Sequence, residues 1–164
     1  MKKIELRQDH SKAETIGLLL RGLGMSVRQA TEETSIKAGM NISYSQYTAM
    51  FGLTAHTGST GAELARWGKV SAQSMNKVLR RLESQGLAER TPHPKNKRSE
   101  CWSLTKEGNQ YITSATVIID SVFSRMISDF NAKETDNLID YLRRCSANLG
   151  ATVDEHQPLP LPPR

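Results

Sequence analysis

The sequence predicts a mainly α-helical fold in which a helix-turn-helix is followed by a two-stranded wing, with further helices at both ends. Three observations predict it. Apolar residues recur at helical spacing in several separate stretches. Serine, threonine and asparagine stand at cap positions ahead of most of them. And a proline-broken basic segment, RTPHPKNKRSECWSLT at 90–105, lies between two runs short enough to be strands.

The first stretch has Ile16, Leu19, Leu20, Leu23 and Val27, close to the i, i+3, i+4, i+7 pattern. It reads as a long helix within 11–40, with Gly22 and Gly24 as weak points. The polar run 31–37 is expected to fray or end it. Ser43 and Gln46 have capping-box spacing, with Ile42 before them as a staple residue. A helix from about 44 to 56 follows, carrying Tyr47, Met50, Phe51 and Leu53. Residues 58–60, Gly-Ser-Thr, read as a turn.

Thr60 and Glu63 form a second capping box, opening the short helix GAELARW that Gly68 ends. Ser71 caps the next helix, whose Met75, Val78, Leu79 and Leu82 make one buried face. Gly86 suits the residue just past its end. Two helices joined by about four residues around a glycine make a helix-turn-helix. Pro92 and Pro94 exclude a helix interior for the segment after it. Leu87–Thr91 and Glu100–Leu104 are the strands, and the segment between them is the wing loop.

Thr105 caps a helix with Ile112, Ala115, Ile119, Val122, Met126 and Phe130 on one stripe. Asn131 and Glu134 cap a last helix with Leu138, Leu142, Cys145 and Leu149 on its apolar face. Cys145 is therefore expected in the core. The end of the chain, from 150 to 164, is proline-rich and reads as a flexible tail.

The chain has 164 residues and 37% hydrophobic content, enough for one compact domain with a core. No run approaches the ~20 apolar residues of a membrane span, and the first ten residues lack a signal-peptide pattern. A cytoplasmic protein with no membrane partner is expected. Cys101 and Cys145 lack metal-ligand spacing, as do His10, His56, His93 and His156. No paired carboxylates, phosphate loop or nucleophile elbow is visible. The sequence thus points away from an enzyme, and implies no cofactor and no metal.

Net charge is +5, and it is concentrated. Between Arg66 and Arg98 stand nine basic and two acidic residues, so the remainder of the chain is slightly negative. Local positive charge of this kind fits a polyanion. The exposed face of the 71–85 helix offers Ser71, Gln73, Ser74, Asn76, Lys77, Arg80 and Arg81. Glutamine and asparagine can read adenine, and lysine can read guanine, in a major groove. Lys95, Lys97 and Arg98 on the wing can follow phosphates or enter a minor groove. The competing reading is a winged-helix module that binds protein, which would more often expose an apolar patch at that surface.

The stretch from Ile42 to Gly108 resembles the MarR family of transcriptional regulators. The resemblance rests on Ile42-Ser43-x-x-Gln46, ELAR at 63–66, VSAQSM at 70–75, LRRLESQGLAER at 79–90, Arg98, and LTKEG at 104–108. With the flanking helices it covers about residues 11–149. It implies one domain over 1–149, with 43–105 as the winged-helix DNA-binding part. Helices within 11–40 and 106–149 would form the dimerisation region. Double-stranded DNA with a pseudo-palindromic operator, a second copy of the chain, and a small-molecule effector are the partners implied. Arg98 matches the wing arginine, and Arg21, Tyr44 and Tyr47 are effector candidates, though core packing is the default for the tyrosines. The chain departs from the family at Asn96, where an aspartate two residues before the arginine is usual. It departs again at Gly68, where the turn usually has an apolar residue.

Overall fold

The structure is a computed structural model that describes residues 11–151 and, within them, all side chains except those of Lys97 and Arg98. The proline-rich tail from 152 onward lies outside the described residues, as do residues 1–10.

Among the described residues six helices and three strands follow in the order α1 (Lys12–Lys37), α2 (Tyr44–Ala55), β1 (Ser59–Thr60), α3 (Gly61–Trp67), α4 (Ala72–Ser84), β2 (Ala88–His93), β3 (Asn96–Leu104), α5 (Lys106–Met126) and α6 (Ala132–Asn148). The capping boxes at Ser43/Gln46, Thr60/Glu63 and Asn131/Glu134 all form. A fourth, Ser11 with Glu14, opens α1. Each closes two backbone donors that a helix start otherwise leaves open.

α2 lies at the centre. Its Met50 and Leu53 are fully buried with Leu64 of α3, Leu79 and Leu82 of α4 and Ile112 of α5. The core thus joins the helix-turn-helix to the long helix that follows the wing.

Residues 31–37 do not fray. α1 runs through them to Lys37, and Thr31 and Ser35 are fully buried. The Ser35 hydroxyl donates to the Met40 carbonyl (3.1 Å) and accepts from the Ile42 amide (3.3 Å), tying the helix end to the next loop. Thr31 Oγ1 has no hydrogen-bond partner among the described residues. A buried hydroxyl without a partner costs roughly 1–3 kcal/mol. Thr31→Val keeps the shape and removes the hydroxyl, so it is expected to raise stability by about 1 kcal/mol in denaturant melts. A loss of stability would show that the hydroxyl is satisfied.

The sheet has three strands, not two, in the order β1-β3-β2, all antiparallel. Gly58 is a turn residue, with φ +79°, but Ser59 and Thr60 pair with Trp102 and Cys101. Two residues carry no readable alternation, which is why the sequence shows only the turn. β2 and β3 also extend past the expected strands, to His93 and from Asn96. Pro92 is accommodated inside β2 because β2 is the outer strand, where a missing N–H breaks no ladder.

α6 has no buried residue. Cys145 is exposed, against expectation, and Leu142 and Leu149 are exposed too, while Cys101 in β3 is buried. The expected stripe of α1 is likewise open: Ile16, Leu19, Leu20 and Leu23 are each 45–67% exposed. Phe130 lies beyond α5 and is exposed. Spacing defined these faces correctly; the single chain does not cover them.

Candidate nucleic-acid interface

α4 divides cleanly by its 100° per residue. Met75, Leu79 and Leu82 point into the core, while Gln73, Ser74, Asn76, Lys77, Arg80 and Arg81 are exposed. Ser71 caps the helix: its hydroxyl accepts from the Ser74 amide (3.1 Å) and donates to the Ser74 hydroxyl (2.8 Å). No acid stands in the first turn, so the positive helix start faces outward unneutralised. Asn76 is exposed yet leans on Gly61, the first residue of α3, where an added Cβ would collide with its amide oxygen. The α3–α4 crossing therefore sets the position of Asn76.

The turn between α3 and α4 is built otherwise than the sequence suggests. Gly68 has φ −77°, and the left-handed residue is Lys69, at φ +51°. At Gly68 a Cβ would be a tight fit, 3.3 Å from the Leu64 carbonyl oxygen and 3.4 Å from Met75 Cε, so these neighbours would give by a few tenths of an ångström. Trp67 is half-buried, and its ring packs over Gly52 of α2. Its ring stands 6.3 Å from that of Phe51 and 5.8 Å from that of His56.

At the wing tip, His93 Nδ1 accepts from the amides of Lys95 (3.1 Å) and Asn96 (3.0 Å). His93 thus shapes the tip, a role the sequence reading did not assign. Asn96 Nδ2 donates to Ser99 Oγ at 2.9 Å. Lys95 is exposed at the tip. Lys97 and Arg98 belong to the backbone of β3.

Arg90 of β2 bonds two carboxylates. Its Nε donates to Glu83 of α4 (2.7 Å), and its Nη1 donates to Glu100 of β3 (3.0 and 3.2 Å). These hydrogen bonds, with Glu100 first, raise the guanidinium's pKa above its ordinary value. Glu63 is held below the usual carboxylate range, because the Thr60 amide and hydroxyl both donate to it (2.7 and 2.8 Å). A lowered carboxyl stabilises the fold above its unfolded-state pKa, and that support fades as pH falls through the folded value.

Residues 40–99 match the model of the MarR family. The HTH-type transcriptional repressor Rv2887 of Mycobacterium tuberculosis is 27% identical over 119 residues, covering 73% of this chain and 84% of the relative. The structure of the transcriptional repressor CouR bound to a 23-mer DNA duplex superposes with a TM-score of 0.74 at 21% identity, over 87% of this chain and 99% of that one. A mutant MarR from E. coli complexed with operator DNA superposes with a TM-score of 0.72 at 20% identity, over 80% and 93%. The segment 40–99 is thus similar to the MarR family, and the fold around it is that of these solved structures.

The matched segment runs from the loop before α2 to within β3, so it contains α4 and most of the wing. A second feature lies mainly outside it. A cleft of about 940 Å³ opens between α1, the start of α2, α5 and α6, with Arg21, Arg28, Leu23, Tyr44, Phe123 and Leu142 on its walls. Two of the three expected effector candidates, Arg21 and Tyr44, are there. Tyr47 is instead buried, and burial raises its pKa, with the nearby Thr116 side chain opposing the shift. Arg28 was not singled out from the sequence. Its place seven residues after Arg21, two helical turns along one face, was the available signal.

Among the described residues no helix is long and apolar enough to cross a membrane, and no group of three His, Cys, Asp or Glu could hold a metal ion.

Proposed function

We propose that the chain is a MarR-family regulator, a sequence-specific DNA-binding repressor that acts as a homodimer and is released by a small molecule. One observation carries the DNA reading: the exposed face of α4 is polar and basic from Gln73 to Arg81, while Met75, Leu79 and Leu82 are buried. Ser71, Gln73, Ser74, Asn76 and Lys77 would meet base edges. Arg80, Arg81, Lys95, Lys97 and Arg98 would meet phosphates or a minor groove. The relatives' own descriptions, as repressors and as DNA complexes, support the same reading.

The dimer reading is supported by the open apolar faces of α1 and α6, where Ile16, Leu19, Leu20, Leu23, Leu142 and Leu149 are exposed. A second copy of the chain is the occupant that fits, because the same faces recur on it. The release reading is supported by the cleft. Its two arginines and aromatic walls suit a small aromatic carboxylate, and it adjoins both the open helices and the start of α2.

The test is selection of bound duplexes from a random pool. A two-fold symmetric site with half-sites about one helical turn, roughly 34 Å, apart is the expected result; recovery of unrelated sequences would end the proposal. Arg98→Ala is expected to weaken binding to all duplexes and lower the salt slope by roughly one unit. Gln73→Ala should instead flatten the preference at one position of each half-site. Identical rankings of a panel of sites by wild type and Gln73→Ala would place base readout elsewhere.

A further inference from the structure

We propose that Arg90 is a positioning residue that fixes the angle between α4 and the wing by gripping Glu83 and Glu100 together. The inference rests on the DNA-binding reading above and says how its two reading elements are kept in register.

Three elements meet at this side chain. Glu83 is in the last turn of α4, Arg90 in β2 and Glu100 in β3. Arg90 is opposite Trp102 and Pro92 opposite Glu100, so Arg90 and Glu100 are diagonal neighbours on one face of the hairpin. The guanidinium spends Nε on the helix and Nη1 on the strand. A planar fork of this kind fixes direction as well as distance.

The chain between helix and wing is short and turns at Gly86, with φ +70°. That turn is held at its base by the Leu87 amide on the Leu82 carbonyl (2.9 Å). Rotation of the hairpin about this base is then opposed, on its outer side, by the Arg90 grip. The charge pattern agrees. Glu83 is one of only two acids in the basic stretch from Arg66 to Arg98. An acid beside a polyanion site costs affinity unless it is occupied by a cation, and Arg90 occupies this one.

The groups are partly exposed, with side-chain exposures of 39% for Arg90, 33% for Glu83 and 54% for Glu100. Such pairs add little to global stability. The grip is therefore expected to show in DNA binding and not in melting.

The experiment uses the full chain and a duplex selected by the wild type. Charge alone requires Glu83→Gln and Glu100→Gln to bind more tightly, since each removes an acid from a DNA-facing surface. The grip requires the opposite: each loosens binding, roughly two- to fivefold, with the melting temperature unchanged. Arg90→Lys keeps the charge without the fork and should loosen binding as well. Tighter binding by either glutamine variant, or wild-type binding by Arg90→Lys, overturns the proposal. Amide exchange across 88–104 without DNA is the separate readout. It should accelerate in Arg90→Gln, and unchanged exchange also overturns the grip. A wild type that binds no duplex refutes the DNA reading, while the exchange result still judges the grip.

Discussion

Replacing Leu19 with aspartate is expected to give a folded monomer that binds a two-half-site operator on the order of a thousandfold more weakly than the wild type. Leu19 lies in the apolar stripe of α1 and is 67% exposed in the single chain. It makes no contribution to the core around α2, so the substitution leaves that core intact. In a dimer the same position would be covered, and burying an unpaired carboxylate there costs several kcal/mol. Loss of the dimer would cost the second half-site its effective concentration, a factor of roughly a hundred to ten thousand. Light scattering at micromolar concentration reads the mass, and gel shifts on one and two half-sites read the rest. A variant that remains dimeric places the interface on another face. A wild type that is already monomeric removes the dimer proposal altogether.

Gly108→Ala is expected to cost about 3 kcal/mol, near the upper end for overpacking. Gly108 is in the first turn of α5, and an added Cβ would fall on the backbone carbonyl of Leu87. That carbonyl already accepts from the Thr105 amide (3.2 Å). Thr105 also donates its hydroxyl to the Gly86 carbonyl (2.6 Å) and accepts from the Gly108 amide (2.9 Å). Two backbone turns are thus pressed together, and neither is a flexible side chain that could move aside. For a chain of this size the shift should be roughly 6–12 °C in Tm. Gly22→Ala is the control, since nothing lies within 4 Å of its Cβ position. Mid-helix alanine there should be stabilising by about 1 kcal/mol. An unchanged Tm for Gly108→Ala would mean that the α4–β2 turn yields freely.

The local chemistry of this fold was legible, and its distant contacts were not. Caps announce themselves within four residues, so the starts of α2, α3, α4, α5 and α6 could be read directly. The box at Ser11 and Glu14 has the same spacing. Ser35 and Thr31 misled because polar residues in a helix normally face water. Here Ser35 bonds a loop that lies five and seven residues onward. Cys145 misled for the complementary reason: periodicity shows that a face is apolar, not what covers it. On α4 the exposed residues could be named because the buried face is explicit in Met75, Leu79 and Leu82. Arg90 entered only as a unit of charge. Its partners lie seven residues before it and ten after, and no periodic rule links a helix end to two strands.

Pro92, the fifth residue of β2, has one more consequence. The free edge of a sheet is a template onto which a foreign strand can add itself, and a projecting hairpin offers that edge to every passing molecule. Proline presents no N–H there, and the neighbouring Glu89 and Arg90 are charged. Copies at high concentration are therefore hindered from pairing their hairpins into a shared sheet. The residue that forbids a helix in this segment also guards the outer edge of the sheet against self-association.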